Sequence, residues 1–254
     1  MIAVWFSCGA ASAVAAKLTV QQYGRNEVRV INCPVAEEHE DNLRFLRDVQ
    51  EWIGVRIETA SNPKFPTNSA VDVWAKRRFM SSPSGAPCTV ELKKEARYAW
   101  EREHKPDWHV LGFTADERDR HERFIKTERD NVIPVLINAS LRKKDCLNML
   151  RGAGIAPPAI YALGYPNANC IGCVKATSPA YWRLVRDTFP SVFAQRAEQS
   201  RELGARLVRV KGERVFLGDM PPDSDGQLEM NFDCGVFCDG EREDAHERQR
   251  LEKE

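Results

Sequence analysis

The sequence predicts an α/β fold: a doubly wound, mostly parallel sheet with helices on both faces, and a small C-terminal extension of helices and a β-hairpin. Short apolar runs alternate with segments of helical period over residues 2–154, as in chains of βαβ units. The length of 254 residues suits one large domain with an appendage. The pattern changes after Pro179, which favours a domain at residues 1–178 and an extension at 179–254.

The first three strands and the two helices between them are predicted in alternation. Short apolar runs predict strands at residues 2–7, 28–35 and 55–60. A helix is predicted at 12–23, ended by Gly24, and a second at 41–52, where apolar residues recur with a helical period. This order is typical of a parallel sheet, because each helix carries the chain back to start the next strand.

The next stretch, from Ser61 to Pro87, has a weaker pattern. Four prolines bracket one helical segment around VDVWAKRRF, so we expect a mobile or substrate-facing stretch there. Beyond it the alternation resumes, and the predicted elements are a helix at 89–103, strands at 107–113 and 131–137, and a helix at 140–154 with Ser140 as its N-cap. Two helices split at Pro190 and a hairpin at 206–217, with Lys211 and Gly212 in its turn, complete the prediction.

Charge and hydropathy narrow the classes of function. With 37 basic and 37 acidic side chains the formal net charge is zero, so nucleic acid is a possible partner that the overall charge does not indicate. No apolar run reaches the roughly 18 residues of a membrane helix, and the N-terminus lacks the pattern of a signal peptide. We expect a cytoplasmic protein without a membrane partner, in which metal or catalytic roles for the eight cysteines are favoured over disulfides.

The stretch SCGAAS, from Ser7 to Ser12, lies between the first predicted strand and the first helix. A turn of small residues at this position presents backbone N–H groups at a helix N-terminus, where phosphate or sulfate binds well. Ligands of doubly wound sheets bind at the carboxyl ends of the strands, so the stretch is in the right place for a site.

The cysteines divide into candidate ligands and candidate core residues. Cys170 and Cys173 form a CxxC in CIGC, a spacing that turns two thiolates to one side, towards zinc or an iron–sulfur cluster. Cys33 and Cys146 lie on apolar faces and are expected in the core, whereas Cys8 suits either role. The remaining cysteines are Cys88, in GAPCTVELKKE, and the CxxxC pair Cys234 and Cys238.

Several segments occur in one order that resembles a known family. SCGAAS is similar to an S-G-G-x-D-S loop, CTVELKKE to C-C-x-x-x-L-K, and HVLGFTADERDR to the strand before G-x-R-x-x-E-S-x-x-R. NCPVAEEHEDNLRFLRDV resembles the second-strand segment, and IPVLINAS through CIGC resembles P-L-x-x-W followed by a helix, P-x-x-P-L-Y-x-x-G-Y and G-C-x-x-C. Together, over roughly residues 2–175, they resemble the phosphoadenosine phosphosulfate (PAPS) reductase family of the adenine nucleotide alpha hydrolase-like (PP-loop) superfamily.

The resemblance implies an adenosine nucleotide (PAPS, APS or ATP) over the first loop, with Ser7, Gly9 and Ser12 retained from the family's motif. Ala11 stands where the acid would be, which favours binding of a ready-made nucleotide over cleavage of ATP. The resemblance makes Lys93 a candidate anion contact. Arg118, Arg120 and Arg123 place three cations on one segment after a strand, as a sulfate or phosphate clamp needs, and the alternative for them is an exposed run of charges. The acidic stretch EEHED is expected to be a solvated helix N-terminus, and the five histidines show no ligand spacing.

The resemblance also implies a [4Fe–4S] cluster, held by Cys88, Cys170 and Cys173. Pro87 replaces one cysteine of the family's vicinal pair, so the fourth ligand comes from elsewhere or one iron is open to a sulfur ligand. Zinc is the alternative metal. In the tail, FDCGVFCDG resembles the family's E-C-G-[IL]-H, which makes Cys234 the candidate nucleophile, Cys238 a resolving thiol, and a thiol reductant a candidate partner.

Three hypotheses follow. The first is a PAPS/APS reductase-like oxidoreductase, which reduces an adenylyl sulfate to sulfite. The second is an iron–sulfur-dependent sulfurtransferase that modifies a nucleobase or nucleic acid. The third is a non-catalytic nucleotide- or metal-binding module. The tail cysteine favours the first hypothesis, and the lone Cys88 favours the second.

Overall fold

A computed structural model describes residues 1–82, 85–224, 226 and 228. The chain divides into two compact units, each built from several separate stretches of sequence. Unit 1 comprises Met1–Pro34, His39–Ser61 and Ala96–Ala168, and unit 2 comprises Val35–Glu38, Asn62–Glu95 and the chain from Asn169. Each unit combines several stretches of sequence, so the two units differ in kind from the predicted division into residues 1–178 and 179–254. That domain boundary stays a prediction.

Unit 1 contains a four-stranded parallel sheet in the order β3-β2-β1-β4. The strands are β1 (Ile2–Trp5), β2 (Val28–Asn32), β3 (Ile57–Thr59) and β4 (Trp108–Val110). From β1 the chain adds β2 and β3 on one side, and it then crosses to place β4 on the other side of β1. The predicted α/β class with a parallel sheet and flanking helices is therefore confirmed, and the switch point lies between β1 and β4.

Helices connect and cover these strands. They are α1 (Ala10–Tyr23), α2 (Asn42–Ile53), α5 (Glu95–His104), α6 (Arg118–Thr127), α7 (Val135–Asn138) and α8 (Lys143–Gly152). The alanine-rich α1 is the most buried, since Ala13, Val14, Ala15 and Ala16 are all fully inaccessible. Small side chains allow a helix to lie close to a sheet, and burial of the surrounding valine, isoleucine and leucine side chains supplies the main stabilising term.

The prediction of a fifth strand at 131–137 is wrong. Only Val132 forms a bridge, with His109 at the edge of the sheet, and helix α7 begins at Val135. Pro134 has no N–H for a ladder and precedes the helix as its N-cap, so the apolar run continues as a turn of helix. Periodicity alone does not separate a short buried strand from a short buried helix.

The predicted cap at Ser140 is also wrong, because helix α8 begins three residues later. Arg142 is its N-cap, and the Asp145 carboxylate accepts a hydrogen bond from the Arg142 N–H at 2.9 Å. Ser140 instead adopts a left-handed conformation, with φ of 54°. Residues 140–142, which were predicted to be helical, thus form part of the turn between α7 and α8.

Unit 2 contains the helices α3 (Ala70–Arg77), α4 (Pro87–Thr89), α9 (Pro179–Thr188) and α10 (Pro190–Glu202) and the antiparallel strands β5 (Val208–Val210) and β6 (Glu213–Val215). A π-helical stretch, Val90–Lys94, joins α4 to α5. The predicted break at Pro190 and the hairpin are confirmed, and Lys211 and Gly212 both have positive φ, as a tight two-residue turn requires. Within the described part of the chain, no helix is long and apolar enough to cross a membrane.

Candidate functional site

The SCGAAS stretch lies at the switch point of the unit 1 sheet, between the end of β1 and the start of α1. Gly9 is the N-cap of α1 and is extended, so the first turn of the helix starts directly after the loop. The first N–H groups of a helix have no partner within the helix and carry partial positive charge. The loop is therefore placed and oriented as a binding site for an anion requires.

Ser12 holds this loop together through its hydroxyl group. The Ser12 Oγ accepts a hydrogen bond from the Ser7 N–H at 3.1 Å and lies 3.3 Å from the Ser7 hydroxyl. It donates to the Gly9 carbonyl at 3.0 Å. Because Ser12 is almost fully buried, its hydroxyl serves the shape of the loop, while the half-buried Ser7 is the more accessible of the two hydroxyls.

Cys8 occupies the bend of the loop in a left-handed conformation, with φ of 54°. This conformation costs a residue with a Cβ about 1 kcal/mol or more, and here the surroundings of the side chain hold it in place. The thiol is buried, 3.7 Å from the Asn32 amide nitrogen and 4.0 Å from the Asn42 carbonyl oxygen. Of its two possible roles, Cys8 has that of a buried structural residue.

Two residues that were not predicted complete the loop's surroundings. The Ala10 N–H donates to the Tyr161 hydroxyl at 3.3 Å, so a side chain from a distant segment covers the first turn of α1. Gly112, directly after β4, packs so closely that a Cβ there would lie 2.9 Å from the Ser12 nitrogen. Tyr161 lies in one of the segments that resemble the family, but no role was predicted for it. No sequence pattern indicated that Gly112 packs closely against the loop.

The arginines proposed to contact the nucleotide lie on α6, after a capping box formed by Thr114 and Glu117. Arg118 begins the helix and is exposed. Arg120 is half-buried, donates to Glu117 at 2.8 Å and stacks over the Phe113 ring at 5.4 Å. One of the two predicted cations is thus already neutralised by a neighbouring carboxylate.

The CxxC turn belongs to unit 2, where the Tyr181 hydroxyl holds it. That hydroxyl accepts from the Cys173 N–H at 2.9 Å and donates to the Cys170 carbonyl at 3.4 Å. Between the two cysteines, Gly172 has φ of +68°, a left-handed conformation that favours glycine. Cys170 is half-buried and Cys173 is buried.

Cys88 lies in the same unit, on the short helix α4, and shares an electrostatic neighbour with the CxxC. This neighbour is Arg196 of α10, whose side chain is 2 % exposed. Burial lowers the pKa of the Arg196 guanidinium, and the nearby groups that oppose this effect are Glu37, Cys170, Tyr181 and Cys88. Two of the three predicted ligands, 82 positions apart in the sequence, therefore lie near one guanidinium.

Three thiols have the ligand chemistry that iron–sulfur clusters and zinc prefer. In the described residues, however, no three histidine, cysteine, aspartate or glutamate side chains form a group that could hold a metal ion. The described residues thus do not present a preassembled metal site, and a [4Fe–4S] cluster or zinc at Cys88, Cys170 and Cys173 stays a prediction.

The side chain of Lys93 lies in the π-helical stretch and is 4 % exposed. Its ammonium lies 2.9 Å from a carboxylate oxygen of Glu38, so this predicted anion contact is already bound in an ion pair. The Glu37 carboxylate accepts from the N-terminus of α3, at 2.7 Å from the Ser69 hydroxyl and 2.8 Å from the Ala70 N–H. The expectation that EEHED is a solvated segment does not hold for these two glutamates, which are half-buried and bound to partners in the protein.

The candidate nucleophile Cys234 and the resolving thiol Cys238 lie outside the described residues. Cys33 and Cys146 are buried as predicted, and burial raises the pKa of the Cys146 thiol to about 11. Neither of these two is placed to act as a nucleophile.

Comparison with known proteins leaves the family open. No protein-family model matches the chain, and no curated protein matches it. The functional conclusion therefore depends on the chemistry of the loop and of the cysteine group.

Proposed function

We propose that this chain is an enzyme of the PAPS reductase type, which binds an adenosine nucleotide and reduces an adenylyl sulfate to sulfite. The observation that best supports this proposal is the loop at the switch point, where Ser7 precedes the first turn of a long, buried helix and Ser12 holds the loop in shape. That arrangement suits a phosphate or sulfate group. In unit 2, Cys88 and Cys170 both lie near the Arg196 guanidinium, which brings two of the thiols that this proposal uses into one region.

The nucleotide step needs only binding and orientation. Backbone N–H groups of the first turn of α1 and the Ser7 hydroxyl contact the phosphates in this proposal. The loop has no acidic residue to hold magnesium, since Ala10 and Ala11 occupy its last positions before Ser12. The loop therefore favours a nucleotide that is already adenylylated over one that must first be cleaved.

The sulfur step is a transfer to a thiolate. In this proposal the Cys234 thiolate attacks the sulfonate sulfur, the bond from sulfur to the phosphate oxygen breaks, and the nucleotide phosphate leaves. The enzyme then carries an S-sulfonate on Cys234. A dithiol reductant attacks Cys234 through one thiol, sulfite leaves with the electron pair, and the second thiol of the reductant releases Cys234 as a disulfide forms on the reductant.

The predicted cluster would supply iron–sulfur chemistry, and the residues that would hold it are Cys88, Cys170 and Cys173. No step above passes through it. Iron and acid-labile sulfide in the anaerobically purified protein test this prediction, because a protein with zinc or without metal would contradict it.

The decisive experiment follows sulfite release from adenylyl sulfate and its 3′-phosphorylated form, with a dithiol as reductant. We expect release by the wild type, loss of release in Cys234→Ser, and retention in Cys146→Ser, a buried control thiol. Release that persists in Cys234→Ser would show that the tail is not the nucleophile. Absence of release from both substrates would contradict the proposed function.

The sulfurtransferase remains the second candidate, since Pro87 leaves Cys88 without a vicinal cysteine. The same preparation distinguishes the two. Consumption of ATP with incorporation of sulfur into a nucleobase, in the absence of sulfite release, would favour the transferase. Binding of nucleotide with neither reaction would favour the non-catalytic module.

A further inference from the structure

Two buried N–H donors of unit 2 lack an acceptor within the described part of the chain. They are the Nε of Arg196 and the indole Nε1 of Trp74, in side chains that are 2 % and 3 % exposed. A buried donor without an acceptor costs about 1–3 kcal/mol, and such groups are rare in native proteins. A bound water or a ligand that accepts hydrogen bonds would satisfy both donors.

The two side chains form one stacked pair. The guanidinium carbon of Arg196 lies 4.7 Å from the centroid of the Trp74 ring. Gln199 accepts a hydrogen bond from the Arg196 Nη1 at 2.8 Å, which fixes the guanidinium from one end and leaves its Nε edge to another acceptor. Both donors are thus held on rigid elements, α3 and α10.

The Nε edge lies against the CxxC turn. A Cβ built on Gly172 would lie 3.5 Å from the Arg196 Nε and 3.2 Å from its Cγ, so the Arg196 side chain packs closely against this glycine. The Ile171 N–H, also in this turn, donates to the Glu37 carbonyl at 2.9 Å. The donor pair and the half-buried Cys170 are therefore parts of one local structure.

Burial is the largest influence on the Arg196 guanidinium and lowers its pKa. The anionic or ionisable groups that act on it are Glu37, Cys170, Tyr181 and Cys88. Glu37 is the only carboxylate among them, and its oxygens already accept hydrogen bonds from Ser69, Ala70 and Val71. An additional anion beside the guanidinium would be electrostatically favourable in this buried setting.

We propose that Arg196 and Trp74 form a binding site for a small sulfur oxyanion, such as sulfite, beside the CxxC turn. An oxyanion offers several acceptors to two N–H donors, and its charge complements the guanidinium. The choice of sulfur among oxyanions rests on the proposed function, in which sulfite is the product. The donor pair itself does not depend on that function, because it is defined by geometry alone.

The test is a calorimetric titration of the reduced full-length chain with sulfite, and in separate arms with sulfate and phosphate at equal ionic strength. Wild-type protein should bind sulfite more tightly than phosphate. Arg196→Lys keeps the charge but removes the Nε donor, and Trp74→Phe keeps a ring but removes the indole N–H. Each should weaken sulfite binding by about 10-fold or more, as expected for a lost hydrogen bond to a charged group.

Matched controls exclude a general loss of structure. Arg201, on the same helix, stacks over Phe216 at 4.8 Å and pairs with Asp219 at the surface, so Arg201→Lys should leave the titration unchanged. Trp108 is 47 % exposed, and Trp108→Phe should also leave sulfite binding unchanged. Thermal melting of each variant confirms folding, so that lost binding in a folded variant supports the site.

Three results would overturn the proposal. They are no sulfite binding by the wild type up to about 10 mM, unchanged binding in both Arg196→Lys and Trp74→Phe, and phosphate binding as tight as that of sulfite. Sulfite binding that depends on the donor pair, in a protein that releases no sulfite from either adenylyl sulfate, would support this site while contradicting the proposed function.

Discussion

The ammonium of Lys93 and the carboxylate of Glu38 form an ion pair of 2.9 Å, with both side chains almost fully buried. Glu38 belongs to Val35–Glu38, a four-residue part of unit 2 that lies in the sequence between two stretches of unit 1. The pair therefore fixes this short stretch against the π-helical segment that follows Cys88. A buried pair of this kind contributes to specificity of structure, and the loss of one partner is much more costly than the loss of both.

Replacement of Lys93 by methionine should lower the free energy of unfolding by about 3–5 kcal/mol, because the Glu38 carboxylate would be buried without its counter-charge. The double variant Lys93→Met/Glu38→Leu should recover part of this loss. Urea denaturation measures both changes. As a control, Arg78→Met disrupts an exposed pair with Glu202 and should cost at most about 1 kcal/mol. Equal effects at the two pairs would contradict the argument.

Gly112→Ala should damage the candidate nucleotide loop. The new methyl group would lie 2.9 Å from the Ser12 nitrogen and 3.2 Å from the Ala11 carbonyl carbon, and neither backbone can move without shifting the first turn of α1. We expect a loss of about 1–3 kcal/mol in stability and weaker nucleotide binding, measured by denaturation and by titration. Gly152→Ala is the control, since its Cβ would enter open space and alanine favours the helix. Normal nucleotide binding by Gly112→Ala would remove the loop from the proposed site.

Stability should fall in acid because of His109. Its ring is 2 % exposed and accepts a hydrogen bond from the Trp5 indole at 3.1 Å. Burial lowers the pKa of His109 to about 3, and the positive charges of Arg129 and Arg97 add to this effect. The unfolded chain takes up the proton near pH 6.5, whereas the folded chain does so only near pH 3.

The folded state is therefore favoured fully above pH 6.5, and this contribution is lost as the pH falls from 6.5 towards 3. It amounts to at most about 5 kcal/mol, since each pKa unit corresponds to about 1.4 kcal/mol. Urea denaturation at several pH values should show a shallower decline in His109→Gln than in the wild type. Parallel declines over this range would show that His109 is not the group responsible.

Tyr181→Phe should loosen the CxxC turn. The substitution removes the acceptor of the Cys173 N–H and the donor to the Cys170 carbonyl, and an unsatisfied buried donor costs about 1–3 kcal/mol. Cys173, which is 6 % exposed, should then react faster with iodoacetamide, as followed by mass spectrometry of the peptide. Tyr23→Phe, at the exposed end of α1, should leave this rate unchanged. An unchanged rate in Tyr181→Phe would mean that other contacts hold the turn.

The parallel sheet could be predicted because each strand is a short apolar run between segments of clear helical period. The four strands that form, and helices α1 and α2, follow this rule closely. The rule does not hold for the apolar run at 131–137. An apolar segment interrupted by Pro134 is compatible with a strand or a helix, and the packing of the surrounding chain determines which one forms. Ser140 failed as a cap for a similar reason, because cap preference does not fix where a turn ends.

The candidate site could be predicted in part. SCGAAS and the cysteines were found from residue types that carry chemistry, and their local geometry agrees with a loop and a turn. Trp74, Arg196 and Tyr161 were not found, because no motif marks them and their roles arise from contacts between distant segments. For the same reason Lys93 was predicted as an anion contact, whereas in the structure its ammonium forms an ion pair with the half-buried Glu38.

The order in which the chain supplies the two units limits how the protein can be divided. The chain passes between them at residues 34/35, 38/39, 61/62, 95/96 and 168/169. No single contiguous fragment contains either unit alone, so expression of residues 1–178 would leave unit 2 without α10 and without Arg196. A cut at 38/39, 61/62 or 95/96 therefore divides both units, whereas a cut at 34/35 removes residues of unit 1 alone and a cut at 168/169 removes residues of unit 2 alone.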